Sequence, residues 1–261
     1  RNAMSLVNLL WVRNLFWDGR AGSLEAQAVV PLTDPHEMGQ SLEASARKLA
    51  ATDLYPPLFR AAFQTDSIRG EHIAKALAQF ERTLISADAP YDRYLAGKAT
   101  LSPLEMRGLA LFTAAPNPGK GIRGANCAHC HGGPRTMVEL FHNNGLDRLP
   151  ADPGRETLTG RVADQGRFRV PTLRNIALTA PYMHDGRFAT LAQVLDHYSD
   201  HLQESSNLST FLRETNRDAG HPGLRLTPPE KAALLAFLQT LTDSTFIRDP
   251  RFANPHPQPF K

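Results

Sequence analysis

The motif Cys127-Ala128-His129-Cys130-His131 constrains this chain more than any other feature, and it contains the only two cysteines of the 261 residues. A C-x-x-C-H spacing is the attachment signature of c-type haem. The two thiols are three residues apart, so one turn of helix brings both to one edge of a porphyrin. His131 follows at once and can bind the iron. The motif therefore predicts an iron centre, redox chemistry and haem attachment outside the cytoplasm.

Three other roles for the cysteine pair remain open. A zinc site would need two further ligands, and His142 is a nearby candidate. However, no second C-x-x-C follows, and a His directly after the second Cys is unusual for zinc. A thioredoxin-like pair requires a βαβ context, which this sequence lacks. A disulfide between residues three apart would be strained. Haem attachment fits the motif best.

Charge and hydropathy limit the partners. The formal net charge is +3, with Lys and Arg dispersed along the chain, so nucleic-acid binding is not expected. No apolar run approaches the length of a membrane span. The chain opens on Arg1 without a signal peptide, yet haem c attachment requires export. We therefore expect a periplasmic protein whose leader lies outside these residues.

Apolar periodicity and capping signals predict a mainly α fold with long, irregular, Pro- and Gly-rich loops. Capping boxes predict three helix starts, at Ser102, Thr190 and Thr227. These helices are expected to run to about residues 115, 198 and 241. Residues 41–51 are a shorter helix candidate. Another helix is predicted over residues 71–85 from apolar residues at helical spacing: Ile73, Leu77, Phe80 and Leu84.

The order of these features divides the chain into three regions. Residues 1–97 carry no haem motif. Residues 98–245 have the order of a cytochrome c domain, with a helix, the haem motif, a long loop, a ligand helix and a final packing helix. Residues 246–261 form a Pro-rich tail. We therefore expect cytochrome c-like haem domains joined by irregular loops.

Six segments carry a resemblance to a known family. They are FWDGR at 16–20, PHEMG at 35–39, AQFERTL at 78–84, the haem motif, PTLRN at 171–175 and APYMHDG at 180–186. In this order they cover nearly the whole chain, and it resembles the bacterial di-haem cytochrome c peroxidases and their MauG relatives. Members have two cytochrome domains, in which the N-terminal haem meets peroxide and the C-terminal haem passes electrons to it.

The single motif of this chain matches the C-terminal one. By the resemblance, residues 1–97 are the remainder of the N-terminal, peroxidatic domain, and a second haem c is expected in a part of that domain absent from the chain. The alternative is a natural protein with one haem.

The resemblance also implies the iron ligands. His131 is expected to be the proximal ligand of the C-terminal haem. The peroxidases have a Met fourteen residues after the His that corresponds to His184, whereas MauG-type relatives have a Tyr there, and this chain has Tyr198. A phenolate ligand favours ferric and higher states. Met183 is the rival ligand, and Arg174 is expected to contact a haem propionate or to form a surface ion pair.

Three further residues are implied to act near the peroxidatic haem. Trp17 matches the tryptophan between the haems that shortens the electron hop. Glu37 matches the distal acid that moves a proton between the peroxide oxygens. Gln27 matches a distal amide of MauG-type relatives. The alternative roles are an ordinary core residue for Trp17 and solvated polar residues for Glu37 and Gln27.

A calcium ion lies between the haems in the family. The matching positions are Asn2, through its side chain, and Thr179 and Pro181, through backbone carbonyls. Oxygen donors of this kind suit calcium. No acidic cluster in the sequence indicates the site independently.

The resemblance therefore implies a periplasmic di-haem enzyme that reduces hydrogen peroxide. Its electron donor is expected to be a small cytochrome, a cupredoxin or a protein substrate, and a homodimer is compatible with the family. The chain departs from MauG at one position. MauG oxidises its protein substrate through a tryptophan near the C-terminal haem, and Ala125 stands at that position here, so transfer to that same substrate is not expected. The alternative is a single-haem electron-transfer module without peroxidase activity.

Overall fold

The computed structural model describes residues 1–214 and 222–255. The last six residues of the Pro-rich tail therefore lie outside the described residues. The expected mainly α class is confirmed, because the sheet of the described residues has two short antiparallel strands. These are β1 (Phe141–His142) and β2 (Phe168–Arg169), with Phe141 opposite Arg169. Among the described residues, no helix has the length and apolar character needed to cross a membrane.

Short α-helices form most of the regular structure. In chain order, the first six are α1 (Leu24–Thr33), α2 (Leu42–Ala50), α3 (Tyr55–Phe63), α4 (Gly70–Thr83), α5 (Pro90–Leu95) and α6 (Pro103–Thr113). The others are α7 (Ala128–His131), α8 (Glu156–Thr159), α9 (Leu191–Asp200), α10 (Thr210–Glu214), α11 (Pro228–Gln239) and α12 (Ser244–Ile247). Short 3-10 turns lie between several of them.

The three predicted capping boxes are confirmed. Ser102 accepts the amide of Glu105 and begins α6, and Thr190 accepts the amide of Gln193 and begins α9. Thr227 begins α11 with the reciprocal contact from its partner at the third helical position. Each box satisfies amides that the first helical turn leaves without partners, so these starts are set locally.

The chain divides into two compact units. The N-terminal unit comprises Leu6–Leu84, and the haem-motif unit comprises Arg1–Ser5 with Ile85–Lys261. Helix α5 belongs to the haem-motif unit, although the expected boundary at residue 97 would assign it to the N-terminal region. Its Tyr91 explains this, since the ring packs edge-on against Phe237 of α11 with centroids 5.1 Å apart.

The N-terminal unit is built from α1 to α4, with α4 packed on α1 and α2. The helix predicted over residues 71–85 is confirmed as α4, although two of the apolar residues that predicted it, Leu77 and Phe80, are exposed. The buried face instead carries small residues, Ala74 and Ala78, together with Ile73. Small side chains let the α1 backbone approach α4 closely, which explains why alanines rather than the larger apolar residues face inward.

The haem-motif unit is built on the crossing of α6 and α11. Gly108 of α6 lies against the backbone of Ala233 and against Phe237, so that a Cβ at this position would come within 2.0 Å of Ala233 O. Phe237 and Leu234 are both only 1% exposed. The apolar cluster around this crossing includes residues from α9 and also contacts Cys127, which brings the core to the haem motif.

Candidate haem centre

The haem motif lies on a single turn of helix. Cys127 immediately precedes α7, and the amide of His131 donates to Cys127 O at 2.8 Å. Because residues three apart on such a turn are neighbours, both thiols are available to one edge of a flat ligand. Neither Cys127 nor Cys130 forms a disulfide. Burial raises the pKa of Cys127 to about 12 and that of Cys130 to about 11, so both thiols are protonated at neutral pH.

His131 has the protonation state that an iron ligand needs. Its Nδ1 lies 3.1 Å from Pro171 O. Since a carbonyl oxygen can only accept, this contact places the ring proton on Nδ1 and leaves the Nε2 lone pair for a metal. Burial lowers the pKa of His131 to about 4, so the imidazole is neutral at pH 7.

Residues 171–175, which we call the proximal strap, hold the segment that follows the haem motif. Thr172 Oγ1 donates to Arg135 O at 2.7 Å, and the amide of Leu173 donates to Thr136 Oγ1 at 3.0 Å. These contacts, with that of Pro171 O to His131, fix the strap beside His131. The PTLRN motif is therefore explained as a support for the haem motif.

Arg174 of the proximal strap forms a buried ion pair. Its guanidinium donates to both carboxylate oxygens of Asp92 at 2.5 and 2.6 Å, and its Nη2 donates to Pro134 O at 2.6 Å. The Arg174 side chain is 5% exposed, so the pair is not the surface ion pair that the sequence allowed. Asp92 is 82 residues away in sequence, and nothing in the sequence indicated this partner. The pair ties α5 to the strap.

Tyr198 lies on α9 beside the haem motif. Its ring packs against the apolar cluster that also contacts Cys127 and Ala128. Its hydroxyl oxygen accepts a hydrogen bond from Asn144 Nδ2 at 3.4 Å. Burial raises the pKa of Tyr198 to about 12, and the nearby thiol groups act in the same direction, whereas the Asn144 contact lowers it.

Met183 and Tyr198 converge on one amide group. Asn144 Nδ2 lies 3.4 Å from Met183 Sδ and 3.4 Å from the Tyr198 hydroxyl. Met183 has a φ of 75°, which is an uncommon conformation for a residue with a side chain. The structure therefore brings together the two side chains that the sequence offered as rival ligands. Asn144 was missed because it lies in a loop 54 residues before Tyr198.

The residues of this region fit a haem c. Two reduced, protonated thiols, a neutral imidazole and a buried phenol next to a thioether are the groups that covalent attachment and axial ligation require. Among residues 1–214 and 222–255, no cluster of three or more His, Cys, Asp or Glu side chains suited to a metal is found. His142 instead has its Nδ1 3.3 Å from Ser209 Oγ.

The residues expected at the calcium site are partly brought together. Asn2 Nδ2 donates to Pro181 O at 2.6 Å, and the Asn2 amide donates to His184 O at 2.7 Å. Rotating the Asn2 side-chain amide would turn its oxygen toward the Pro181 carbonyl, which suits a cation. The Thr179 hydroxyl donates to Ile176 O at 3.3 Å. Asn2 and Pro181 are thus neighbours, with the side-chain nitrogen of Asn2 facing the Pro181 carbonyl.

Trp17 lies in a compact turn of the N-terminal unit. It is 9% exposed, and it is flanked by Phe16, whose φ of 65° turns the chain sharply. Asp18 accepts the Arg20 amide at 3.1 Å and its guanidinium at 3.1 Å. The Arg20 guanidinium also stacks over the Phe16 ring at 3.8 Å. The FWDGR motif therefore folds on itself and buries the indole.

Gln27 and Glu37 differ in burial. Gln27 lies on α1, and its Oε1 is buried without a hydrogen-bond partner. Glu37 lies in the turn that follows α1 and is exposed. Its amide donates to Asp34 O at 3.0 Å. A second acid, Glu81 of α4, was missed: it is 8% exposed, its Oε2 has no hydrogen-bond partner, and burial raises its pKa.

Comparison with known proteins identifies the relatives of this chain. The family model for di-haem cytochrome c peroxidases matches residues 1–100. The methylamine utilization protein MauG of Methylophilus methylotrophus is 35% identical over 242 residues, which cover 92% of this chain and 68% of that protein. The cytochrome c551 peroxidase of Nitrosomonas europaea is 34% identical over 247 residues, which cover 92% and 65%.

A solved structure agrees with these matches. It is the crystal structure of a MauG-like protein associated with microbial copper homeostasis, with 37% identity and a TM-score of 0.85, and the match covers 98% of this chain and 79% of that one. The chain spans about two thirds of the length of the two relatives above. Sequence and structure together place this chain in the family of di-haem cytochrome c peroxidases and MauG proteins, which are haem-dependent peroxidase-type oxidoreductases.

Proposed function

We propose that this chain acts in a periplasmic di-haem c oxidoreductase that reduces hydrogen peroxide to water. The observation that carries the proposal is the arrangement of His131, Tyr198 and the two thiols around one buried site in a member of this family. Electrons would leave the haem held by the haem-motif unit and reach a peroxidatic haem held by the N-terminal domain.

In the haem-motif unit, Cys127 and Cys130 would attach the haem c and His131 would bind its iron. A bound haem supplies an iron that gains and loses electrons. Tyr198 is proposed as the second ligand, with Met183 as the alternative. An anionic phenolate stabilises ferric and more oxidised iron, whereas a thioether stabilises ferrous iron. Tyr198 therefore favours an enzyme that stores oxidising equivalents over a simple electron carrier, and a protein side chain is then a suitable reductant.

In the N-terminal domain, three residues would serve peroxide reduction. Glu37 would take the proton from one peroxide oxygen and return it to the leaving oxygen as water forms. Gln27 would donate an amide N–H to the bound oxygen, and the Oε1 of the same amide is buried without a hydrogen-bond partner. Trp17, buried in its compact turn, would carry electrons between the haems.

The remaining assignments are supporting ones. Arg174 keeps one guanidinium N–H beyond its contacts with Asp92 and Pro134, and we propose that it contacts a haem propionate. Asn2, Thr179 and Pro181 are proposed to bind calcium through oxygen atoms. The proposed reductant is a small cytochrome, a cupredoxin or a protein substrate, and a homodimer is the proposed assembly.

A second candidate function is electron transfer without peroxide chemistry. The exposure of Glu37 favours it, because a group that moves a proton between peroxide oxygens must lie beside the bound peroxide, whereas this side chain faces solvent. In that case the haem-motif unit would only carry electrons. The two candidates differ in one property, the consumption of peroxide.

Glu37→Gln tests the peroxidase proposal. The native protein, matured with all of its haem c groups, is reduced and mixed with hydrogen peroxide, and peroxide loss is followed over time. We expect roughly a 100- to 10,000-fold slower reaction in Glu37→Gln, the usual effect of losing a general acid–base group. Glu43→Gln, at another exposed glutamate, is the matched control and should react like the unmodified chain. Equal rates in both variants, or no peroxide loss in the unmodified chain, would favour the electron-transfer module.

A further inference from the structure

Asn144 is tied to two consecutive residues of α9. Its backbone carbonyl lies 3.0 Å from His197 Nε2, and its side-chain Nδ2 lies 3.4 Å from the Tyr198 hydroxyl. His197 is 3% exposed, so this attachment is held inside the fold. The preceding residue, Asn143, is 2% exposed and its Oδ1 accepts the Gly145 amide at 2.9 Å. The loop therefore presents the Asn144 side chain to Tyr198 from a fixed position.

The surroundings of the Asn144 amide determine which of its ends faces Tyr198. A thioether sulfur can only accept a hydrogen bond, so Met183 Sδ requires the NH2 end of the amide. The same nitrogen has two protons, and the second points to the Tyr198 oxygen at 3.4 Å. The site is thus arranged to donate to the Tyr198 oxygen. Such an arrangement suits a phenolate, which is an acceptor only, better than a phenol.

We propose that Asn144 is a positioning residue that orients Tyr198 for iron ligation and donates an N–H to its oxygen, with Met183 holding the amide in the required orientation. The inference rests on the proposed function, since it assumes that Tyr198 is the second ligand of the C-terminal haem. It adds Asn144 as a residue that adjusts how strongly the Tyr198 oxygen donates to the iron.

The proposed hydrogen bond has a definite electronic effect. An N–H directed at a phenolate oxygen withdraws electron density from it, so the oxygen donates less to the iron. Without the donor, the phenolate would stabilise the ferric state more strongly. The reduction potential of the haem would then fall, and the phenolate-to-iron charge-transfer band would move to lower energy.

A double-mutant cycle tests this proposal on the full, haem-loaded chain. The variants are Asn144→Leu, which keeps the branched shape without the donor, Tyr198→Phe, and the two combined. Each is examined by absorption and resonance Raman spectroscopy and by redox titration. Asn144→Ala, which removes the donor without adding a charge, serves if the leucine variant does not mature.

We expect Asn144→Leu or Asn144→Ala to lower the potential and shift the band in the unmodified chain, and to change neither in the Tyr198→Phe background. Equal shifts in both backgrounds would indicate a merely structural role and overturn the proposal, as would no shift in either. If Tyr198→Phe alone leaves the spectrum unchanged, Tyr198 is not a ligand, and the ligation itself fails. The cycle therefore separates failure of the ligand assignment from failure of the Asn144 role.

Discussion

Gly108→Ala should weaken the crossing of α6 and α11 that supports the haem motif. The added Cβ would lie 2.0 Å from Ala233 O, 2.7 Å from the carbonyl carbon of Ala233 and 2.7 Å from Phe237 Cβ. Real Cβ contacts do not fall below 3.0 Å, so the two helices would have to separate by at least the difference, 1.0 Å. The nearest atoms belong to backbone, and no side-chain rotation can relieve the overlap.

Two opposing effects set the size of this destabilisation. Overpacking a filled core costs typically about 1 to 3 kcal/mol, and contact with backbone puts this site at the upper end. Replacing Gly by Ala within a helix returns about 1 kcal/mol of intrinsic helix propensity. The expected net loss is therefore about 2 kcal/mol in the free energy of unfolding. For a chain of this size it corresponds to a melting temperature roughly 4 to 8 °C lower.

The measurement is thermal unfolding of the haem-loaded chain by calorimetry and circular dichroism. Gly22→Ala is the matched control, since a Cβ there would meet no atom within 4 Å and its φ is not in the left-handed region. We expect this control to melt within about 1 °C of the unmodified protein or slightly higher. A Gly108→Ala variant as stable as the control would refute the close approach of α6 and α11.

Two further predictions concern ion pairs. The Arg123 guanidinium lowers the pKa of Glu230 to about 2, so this pair contributes its full stability above the ordinary carboxyl pKa of 4.5 and loses it as pH falls toward 2. In urea titrations the free energy of unfolding is compared between pH 6 and roughly pH 2.5, and its loss on acidification should be about 1 to 2 kcal/mol smaller in Glu230→Gln. This figure is reduced for solvent screening, because Arg123 is half exposed. An unchanged pH profile would contradict the pairing. Arg174→Lys should cost about 2 kcal/mol or more in urea, because one ammonium cannot replace the buried two-point contact with Asp92. The same change at exposed Arg60 should have almost no effect, and equal losses at both sites would contradict this reasoning.

Local signals in the sequence predicted part of the fold correctly. The starts of α6, α9 and α11 follow from capping boxes, whose contacts join residues three apart. Helix α1 was not predicted because Pro31 lies inside it, and α3 was not predicted because two prolines occupy its first turn. Proline is tolerated in a first turn, where the amides have no helical partner.

Contacts between distant residues could not be predicted from local patterns. Asp92 and Arg174, and Asn144 and Tyr198, are joined only by the tertiary fold. The apolar spacing predicted the existence of α4 but not its inward face, which carries alanines as well as Ile73. The resemblance located His131 and Tyr198, whereas the geometry around them supplied the amide that connects Tyr198 with Met183.

The central claim is that Cys127 and Cys130 carry a covalent haem c. It is tested most directly by the intact mass and the pyridine haemochrome spectrum of the full chain after cytochrome c maturation. The account predicts one haem per C-x-x-C-H motif, bound through two thioether bonds, and its loss from the mass when both cysteines are changed to alanine. A native chain with the mass of the bare polypeptide and two thiols open to alkylation would contradict it.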